Sequence, residues 1–444
     1  MTEYKIATEA DFAAIVDFSN DVFSRRKTPQ GTAEYDHSFF QNLLPKVYRD
    51  PSTAHWHRLA YEDGVLCGCV ATFPLEYHVG AYVLRCAGIG TVGVSHAHRG
   101  RGYMKHLMKE SLCSAEEQGY DFALLGGLRQ RYAHYGFELA GIDPVFSFTA
   151  DNARYLFGRE ANFGYAFRVI TREDEALLDY AYAQNESAPQ HIRRTREKLY
   201  DTLLSFESTP VAVFTAGGEY AGYFLMRQGG ASLWELRPLE CAHVLEILSD
   251  YIRQNELSEI QIYRVGAHET ALLRALGAGC EDCALRRCDS IRVFRYETTL
   301  RAYLALRAAT MPLPQGSVVL GFENGEVLRL SVLADGKSAV EKTDDTPLYN
   351  LSHSDAVKLL FGPFALFSDC GYPLPAAPRA WFPLPFALPR VQQFENHLLH
   401  LDGRVGAGEV FAQPFTGEGD IGLHRLFLLH HNGEHGILVQ LTGL

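Results

Sequence analysis

The sequence predicts an α/β (α+β) fold with mixed sheets, and three patterns along the chain indicate it. Turn signals join short alternating segments into antiparallel hairpins. A glycine-rich turn then leads from a strand into an amphipathic helix and on to another strand. The hairpin–helix–strand order recurs between residues 160 and 295 without that turn. At 444 residues the chain is too long for one ordinary core, so we expect roughly two to four domains.

Composition and charge exclude several classes of protein. With 47% hydrophobic residues, the chain has the composition of a globular protein rather than a disordered one. A net charge of −12 argues against nucleic-acid binding, which usually requires a basic excess. No run approaches roughly 18 apolar residues, so no membrane span is expected. The opening segment MTEYKIATEADFAAIV lacks the basic and apolar regions of a signal peptide, which predicts a cytoplasmic protein.

Nine cysteines are scattered along the chain, and we expect most of them to be buried free thiols. Cys280, Cys283 and Cys288 form the one cluster with a CxxC pair. A fourth ligand at suitable spacing is not evident, so no metal is expected.

Residues 1–150 are predicted to form the first domain. A strand begins the chain, and Thr8 with Asp11 resembles a capping box before a helix that runs to Phe23. Residues 24–40 are too broken for one regular helix and fit a loop over a site. The other predicted elements are strands at 57–61, 65–73, 82–89, 91–95 and 122–125, a hairpin turn at Glu62-Asp63-Gly64, and a helix with a buried face from Met104 to Ala115 that ends at Gly119.

Two further domains are predicted, at residues 151–295 and 296–444. The second contains a hairpin over 211–226, a helix over 245–254 and a strand over 260–263. The third is predicted to contain helices at 299–308 and 352–361, a hairpin over 317–332, and a last hairpin that turns at Asn432-Gly433.

The strongest chemical signal is the segment from Val92 to Gly102, in which a strand enters a Gly/Arg turn that opens a helix. A helix N-terminus offers unpaired N–H groups and the positive end of the helix dipole. Gly100 and Gly102 permit close backbone approach. Arg99, Arg101 and Lys105 add positive charge, so the segment suits a pyrophosphate. A plain strand–helix turn with solvated arginines is the structural alternative.

With its flanking strands and the later segment Arg131–Glu138, this turn resembles the GNAT acetyltransferases. Their pyrophosphate motif, Arg/Gln-x-x-Gly-x-Gly/Ala, is matched by Arg99 to Tyr103, whereas Met104 replaces the last small residue. The YxxYGF segment that begins at Tyr132 resembles the FYxxxGF signature of that family. The resemblance implies acetyl-CoA as acyl donor. It places the acyl group and pantetheine on main-chain groups of Val92, Gly93 and Val94, and the pyrophosphate on Arg99, Gly100, Arg101, Gly102, Tyr103 and Met104.

The order of the whole chain, over roughly residues 1–394, resembles the enhanced intracellular survival (Eis) family. That family has two GNAT-like domains, the second degenerate, and a sterol-carrier-like C-terminal domain, and it tends to lack the small residue that Met104 replaces. The resemblance implies that Tyr132 is the general acid toward the CoA thiolate. The alternative for Tyr132 is a buried ring with a hydrogen-bonded hydroxyl.

In the Eis family the C-terminal carboxylate acts as the base, which corresponds here to Leu444. This chain departs from the pattern because about fifty residues follow its PLPF segment. The other candidate bases, each with a solvated surface role as the alternative, are Asp21, Asp36, His37 and His134.

The predicted function is direct transfer of an acetyl group from acetyl-CoA to a primary amine of a small cationic or polyamine-like acceptor. The resemblance also implies assembly as a homo-oligomer, a hexamer in that family. Two alternatives stay open. The protein could bind a hydrophobic ligand or CoA as a regulator without turnover, or it could acetylate proteins or peptides.

Overall fold

The computed structural model describes residues 1–27, 33–266 and 269–386. A capping box stands at the short 3-10 turn Glu9–Asp11 that leads into the first helix: the Thr8 backbone N–H donates to Asp11 Oδ2 at 2.9 Å, as the capping pattern predicts. The strands are β1 (Thr2–Ile6), β2 (Arg26–Lys27), β3 (Ala33–Glu34), β4 (His57–Glu62), β5 (Val65–Val79), β6 (Tyr82–Val94), β7 (Phe122–Leu125), β8 (Glu138–Leu139) and β9 (Ile142–Thr149). The helices are α1 (Phe12–Ser24), α2 (Phe39–Leu43), α3 (Pro45–Tyr48), α4 (Tyr103–Glu117), α5 (Arg129–Tyr132) and α6 (Ala150–Phe157).

The middle of the chain repeats the succession of hairpins, helix and strand. Its strands are β10 (Ala166–Val169), β11 (Gln190–Ile192), β12 (Thr209–Phe214), β13 (Tyr220–Arg227), β14 (Ser232–Pro238), β15 (Glu259–Tyr263), β16 (Asp282–Arg287) and β17 (Ser290–Val293). Its helices are α7 (Glu175–Glu186), α8 (Leu199–Leu203), α9 (Val244–Gln254) and α10 (Thr270–Gly277).

The last described part combines one long helix with a small sheet. Its elements are α11 (Tyr296–Thr310), β18 (Gly316–Phe322), β19 (Val327–Val332), β20 (Ser338–Lys342), β21 (Tyr349–Leu351), α12 (His353–Leu360) and α13 (Ala376–Arg379). The sheet has the order β20-β19-β18-β21. Its core is continuous with the first sheet, since Tyr77 and Phe122 pack in the same cluster as Tyr303 and Trp381.

The first sheet has the strand order β1-β4-β5-β6-β7-β17-β8, and β11 pairs with β5. The β6–β7 pair, joined through α4, is parallel, whereas the other pairs in this sheet are antiparallel. This arrangement confirms the predicted mixed α/β class. The sheet separates two apolar clusters, one beneath α4 and one beneath α1 to α3.

The second sheet repeats this order position by position, as β10-β12-β13-β14-β15-β9-β16. Its parallel pair is β14–β15, which α9 connects. The two sheets exchange one strand. β9, which follows β8 in the chain, inserts between β15 and β16, and β17 returns to insert between β7 and β8. Each of the two sheets therefore takes strands from both sides of residue 150.

Most predicted local elements recur in the structure. The Glu62-Asp63-Gly64 hairpin is confirmed, because Glu62 pairs with Val65. The separate strand predicted at residues 91–95 is wrong: β6 runs without interruption from Tyr82 to Val94, because a bulge absorbs the irregularity at Thr91. The hairpin predicted at Asn432-Gly433 lies outside the described residues. Among the residues that the structure describes, no helix has the length and apolarity needed to cross a bilayer.

Candidate active site

Strand β6 separates from β7 towards its C-terminal end, while it stays paired with β5 apart from one bulge. Its pairing with β7 runs from Cys86 to Ile89, although β6 continues to Val94. On its other side, Gly90 pairs with Ala71 of β5 and Gly93 pairs with Cys69, so Thr91 and Val92 form a bulge. The edge of β6 from Gly90 to Val94 that faces β7 therefore has no strand partner among the described residues. These free main-chain groups belong to the segment predicted to hold the acyl group and pantetheine.

Helix α1 covers one face of this edge. A Cβ added at Gly93 would lie 3.2 Å from Val22 Cγ1 and 3.3 Å from both Phe18 Cε1 and Phe23 Cε2. Glycine lets α1 approach the strand this closely. On the opposite face, Val92 packs in the cluster that also contains Tyr103 and Tyr132.

The glycine turn leads from this edge into α4. Gly100 and Gly102 have φ of +80° and +87°, and no described heavy atom lies within 4 Å of a Cβ built at either one. The turn is thus open on its outer side and has a backbone conformation that favours glycine. Gly102 is the N-cap of the 15-residue α4, whose first turn contains no acidic residue. Open N–H groups at a helix N-terminus are suited to an anion.

The cations of the turn are exposed, and one of them is engaged. Arg101 Nη1 donates to Glu62 Oε2 at 2.5 Å, which links the turn to the β4–β5 hairpin. His98 Nε2 lies 3.6 Å from the same oxygen, and its Nδ1 is 2.6 Å from Ser95 Oγ. Arg99 is exposed beside them. Sequence analysis missed Glu62, which carries no motif.

The first two residues of α4 differ in environment. Tyr103 is buried against the sheet, and Met104 is partly buried on the same cluster. Their side chains therefore help to fix α4 to the sheet, which leaves their backbone groups as the parts available at the helix N-terminus.

Tyr132 ends α5, the short helix that follows β7. It is 1% exposed, and its hydroxyl has no hydrogen-bond partner among the described residues. Burial raises the pKa of this phenol. The neighbouring Arg131 acts in the opposite direction and lowers that pKa, but burial outweighs it. A buried phenol with a free O–H is a suitable donor to a thiolate formed beside it.

A buried carboxylate holds the helix that bears Tyr132. Glu138 accepts two hydrogen bonds from Arg129, Nε to Oε1 at 2.5 Å and Nη2 to Oε2 at 2.6 Å. The Ser354 hydroxyl donates to Oε2 at 2.9 Å, so the third part of the chain also contacts this carboxylate. Burial would raise the pKa of Glu138, but the hydrogen bonds from Arg129, Leu139 and Ser354 outweigh it and lower that pKa.

Three of the candidate bases lie at the C-terminal half of α1, where the Asp36 backbone N–H donates to Ser24 Oγ at 2.7 Å. Asp21 pairs with Arg25, and Asp36 accepts from the Ser38 backbone N–H at 2.8 Å. His37 Nδ1 lies 3.7 Å from Asp17 Oδ1, and His134 is exposed. Leu444 lies outside the described residues. The base therefore stays a prediction.

The second sheet has a bulge at the corresponding strand, and charged side chains pair around it. Glu235 has φ +50° in a bulge of β14 at the position that Thr91 has in β6. Its carboxylate, fully buried, accepts from Arg194 at 2.6 and 2.7 Å and from Tyr223 Oη at 2.5 Å. Beyond the bulge, Arg237 pairs with Glu269 at 2.6 Å. The corresponding bulge of the second sheet therefore carries a buried ion pair, whereas the bulge of β6 carries Thr91.

Glu62, Cys67 and His98 place three potential ligand atoms within 4.8 Å of one another. The cluster is already paired, since Glu62 accepts from Arg101 and the Cys67 thiol donates to the Val65 carbonyl at 3.1 Å. The cysteines at 280, 283 and 288 do not form a ligand group in the part of the chain that the structure describes.

Comparison with known proteins identifies the first part of the chain. Residues 3–140 match the family model of the acetyltransferase (GNAT) domain. The chain carries a GNAT acetyltransferase domain. It is an acyltransferase, and acetyl-CoA is its acyl donor. No curated protein matches the sequence.

Solved structures resemble the chain over most of its length. A probable N-acyltransferase from Enterococcus faecalis V583 is 15% identical, with a TM-score of 0.60 over 88% of this chain and 98% of its own. A GCN5-related N-acetyltransferase from Kribbella flavida is 16% identical, with a TM-score of 0.60 over 88% and 97%. Eis1 from Mycobacterium abscessus is 15% identical, with a TM-score of 0.55 over 89% and 97%. The shared fold therefore extends well beyond the GNAT domain.

Proposed function

We propose that this GNAT domain transfers the acetyl group of acetyl-CoA directly to a primary amine of a small cationic or polyamine-like acceptor. One observation carries the proposal. β6 bulges and separates from β7 immediately before an open glycine turn at the N-terminus of α4. The pantetheine arm with its thioester needs a strand edge with free main-chain groups, and the pyrophosphate needs an open glycine turn beside that edge. The second sheet supports the proposal by contrast, because its bulge carries a buried Glu235–Arg194 ion pair and no glycine turn leads from it into α9.

In the proposed complex, main-chain groups of Val92, Gly93 and Val94 bind the acyl group and pantetheine. The turn from Arg99 to Met104 binds the pyrophosphate. Holding both reactants together supplies much of the rate acceleration. Backbone N–H groups of the bulge stabilise the oxyanion that develops on the thioester carbonyl.

The proposed reaction has no covalent enzyme intermediate. The neutral amine nitrogen attacks the thioester carbonyl carbon, and the C–S bond then breaks. Tyr132 donates its phenolic proton to the departing CoA sulfur, and the proton released by the amine passes to a base and restores the phenol. The C-terminal carboxylate of Leu444 is the base that the Eis resemblance implies.

An acidic protein attracts a cationic acceptor. The protein has a net charge of −12, whereas the exposed turn with Arg99, Arg101 and Lys105 is locally cationic and suits the anionic co-substrate. The net negative charge attracts a cationic amine. Near α1, Asp17 is exposed and accepts from Tyr35 Oη at 2.8 Å. A polyamine-like acceptor is therefore favoured over a neutral one.

We further propose that the chain is a tandem GNAT protein of the Eis-like subgroup, with domains near 1–150, 151–295 and 296–444. The matching strand order of the first two sheets supports a duplicated fold with a degenerate second copy. The sheet β20-β19-β18-β21 with α11 against it supports a sterol-carrier-like third domain.

The direct test is thiol release from acetyl-CoA with a panel of polyamines, aminoglycosides and lysine peptides. We expect turnover with the small polyamines. Gly102→Glu should abolish CoA binding, whereas the matched control Gly218→Glu, also at an open glycine with φ +81°, should retain it. Tyr132→Phe should lower kcat about 100-fold, within the range for general acids. Tyr251→Phe, which removes another buried hydroxyl, should not.

The other outcomes separate the alternatives. Turnover with peptides alone would make the protein a peptide N-acetyltransferase. Tight CoA binding without turnover on any amine would make it a regulator. Deleting residues 395–444 should lower kcat if the terminal carboxylate is the base, and an inert deletion would refute that role.

A further inference from the structure

A buried hydrogen-bond chain ends at the bulge of β6. Tyr48 Oη is hydrogen-bonded to Thr91 Oγ1 and lies 3.3 Å from His57 Nε2. His57 Nδ1 lies 3.2 Å from the Ala54 carbonyl oxygen. All three side chains are buried on the α1–α3 side of the sheet.

The direction of these hydrogen bonds follows from the Ala54 carbonyl oxygen at the end of the series. A carbonyl oxygen only accepts, so His57 Nδ1 carries the hydrogen and Nε2 carries the lone pair. Burial lowers the pKa of His57 to about 4, which keeps the ring neutral near pH 7. The Tyr48 O–H therefore donates to His57 Nε2, and the Thr91 O–H donates to Tyr48 Oη.

Thr91 has a backbone conformation that a threonine rarely adopts. Its φ is +48°, in the left-handed region where a β-branched residue is an outlier. Such outliers persist only when the surrounding structure determines them, and they concentrate at functional sites. Thr91 and Val92 are the residues of β6 that the bulge releases from pairing with β5.

The second sheet provides an independent parallel. Glu235, at the equivalent bulge, is also left-handed and is also hydrogen-bonded to a buried tyrosine, although here the tyrosine, Tyr223, is the donor. There the bond belongs to a buried ion pair with Arg194, whereas in the first sheet Thr91 is hydrogen-bonded to neutral side chains. A side-chain bond to a buried tyrosine is therefore common to both bulges.

We propose that Thr91 is a positioning residue which, through Tyr48 and His57, holds the bulge of β6 so that its released peptide groups face the thioester carbonyl of acetyl-CoA. This role rests on the proposed acyl-transfer function. Thr91 acts through the backbone of the bulge and exchanges no proton with substrate.

The test uses the carbonyl stretch of bound [1-¹³C]acetyl-CoA in isotope-edited infrared spectra, which requires no acceptor amine. In the wild-type protein we expect a band shifted to lower frequency than in solution. Thr91→Val and Tyr48→Phe should return the band toward the solution value and lower kcat about tenfold or more, while Kd for CoA changes less than about twofold.

Two further variants separate positioning from stability. Thr91→Ser keeps the hydroxyl and should retain the shifted band. Thr72→Val, on neighbouring β5, removes a buried hydroxyl that does not belong to the Thr91–Tyr48–His57 hydrogen bonds, so the band and kcat should be unchanged. A wild-type band position in both Thr91→Val and Tyr48→Phe would overturn the role of Thr91 alone. An unshifted band in the wild-type protein would contradict the proposed function as well.

Discussion

Arg101 Nη1 donates to Glu62 Oε2 across 2.5 Å, so one cation of the glycine turn is already neutralised by the β4–β5 hairpin. His98 lies within 3.6 Å of the same oxygen. A pyrophosphate on the turn must therefore compete with a carboxylate for Arg101. The hairpin at residues 62–64 therefore contacts the glycine turn, which its sequence does not indicate.

Glu62→Gln should strengthen CoA binding. The substitution removes the competing charge, and because partly exposed ion pairs contribute at most about 1 kcal/mol, Kd should fall roughly two- to fivefold. Isothermal titration calorimetry with CoA measures this change. The control is Glu110→Gln, which removes the carboxylate of the His106–Glu110 pair on α4 and should leave Kd unchanged. Weaker binding in Glu62→Gln would show that Glu62 orients Arg101 instead of competing for it.

Glu138→Gln should affect both stability and activity. It replaces a carboxylate that accepts from Arg129 and Ser354, and the loss of charged hydrogen bonds should lower the free energy of unfolding by about 1–3 kcal/mol. Because Glu138 holds Arg129, the first residue of the helix that ends at Tyr132, the substitution should displace Tyr132 and lower kcat. The Kd for CoA should be unchanged. Urea denaturation and steady-state kinetics test this pair of effects. Asp151→Asn breaks an exposed pair with Arg154 and should change neither quantity. An unaltered kcat in Glu138→Gln would remove its link to Tyr132.

Glu235→Ala should be strongly destabilising but leave CoA binding intact. It would strand the Arg194 guanidinium, which is 2% exposed, and breaking a buried pair in this way costs about 3–5 kcal/mol. Urea denaturation gives the unfolding free energy, and calorimetry on the folded protein gives Kd. If Glu235→Ala does not fold, Glu235→Gln serves the same test. Loss of CoA affinity in a folded variant would mean that the second cleft contributes to cofactor binding.

Stability should fall in acid through Asp11. Burial alone would raise the pKa of Asp11, but hydrogen bonds from Lys5 and Thr8 outweigh it and lower the pKa to about 2. A lowered pKa in the folded state stabilises the protein above the unfolded value near 4, and that contribution is lost as pH falls toward 2. Lys5→Met should reduce the loss of stability between pH 4 and 2, measured by urea denaturation. Lys109→Met, on the exposed face of α4, should not. An equal acid sensitivity in Lys5→Met would assign the effect to other carboxylates.

Local sequence signals predicted the hairpins, the glycine turn and the α4 helix because each depends on residues close in the chain. The exchange of β9 and β17 could not be predicted, since both are ordinary apolar strands and their positions depend on which sheet edge each one meets. Thr91 gave no signal because threonine favours extended backbone, and only the packed sheet holds it at φ +48°. The family signature predicted Tyr132 as the acid, whereas the deep burial of its ring is a property of the folded core.

The strand exchange bears on how the chain is made. β7 leaves the ribosome well before β17, and at roughly 5–20 residues per second the interval is on the order of ten seconds. Until β17 arrives, the edge of β7 that it will cover is an open template for any other strand. The first sheet therefore cannot be completed until β17 has been synthesised. The acetyltransferase domain and the second sheet are expected to complete their folding together.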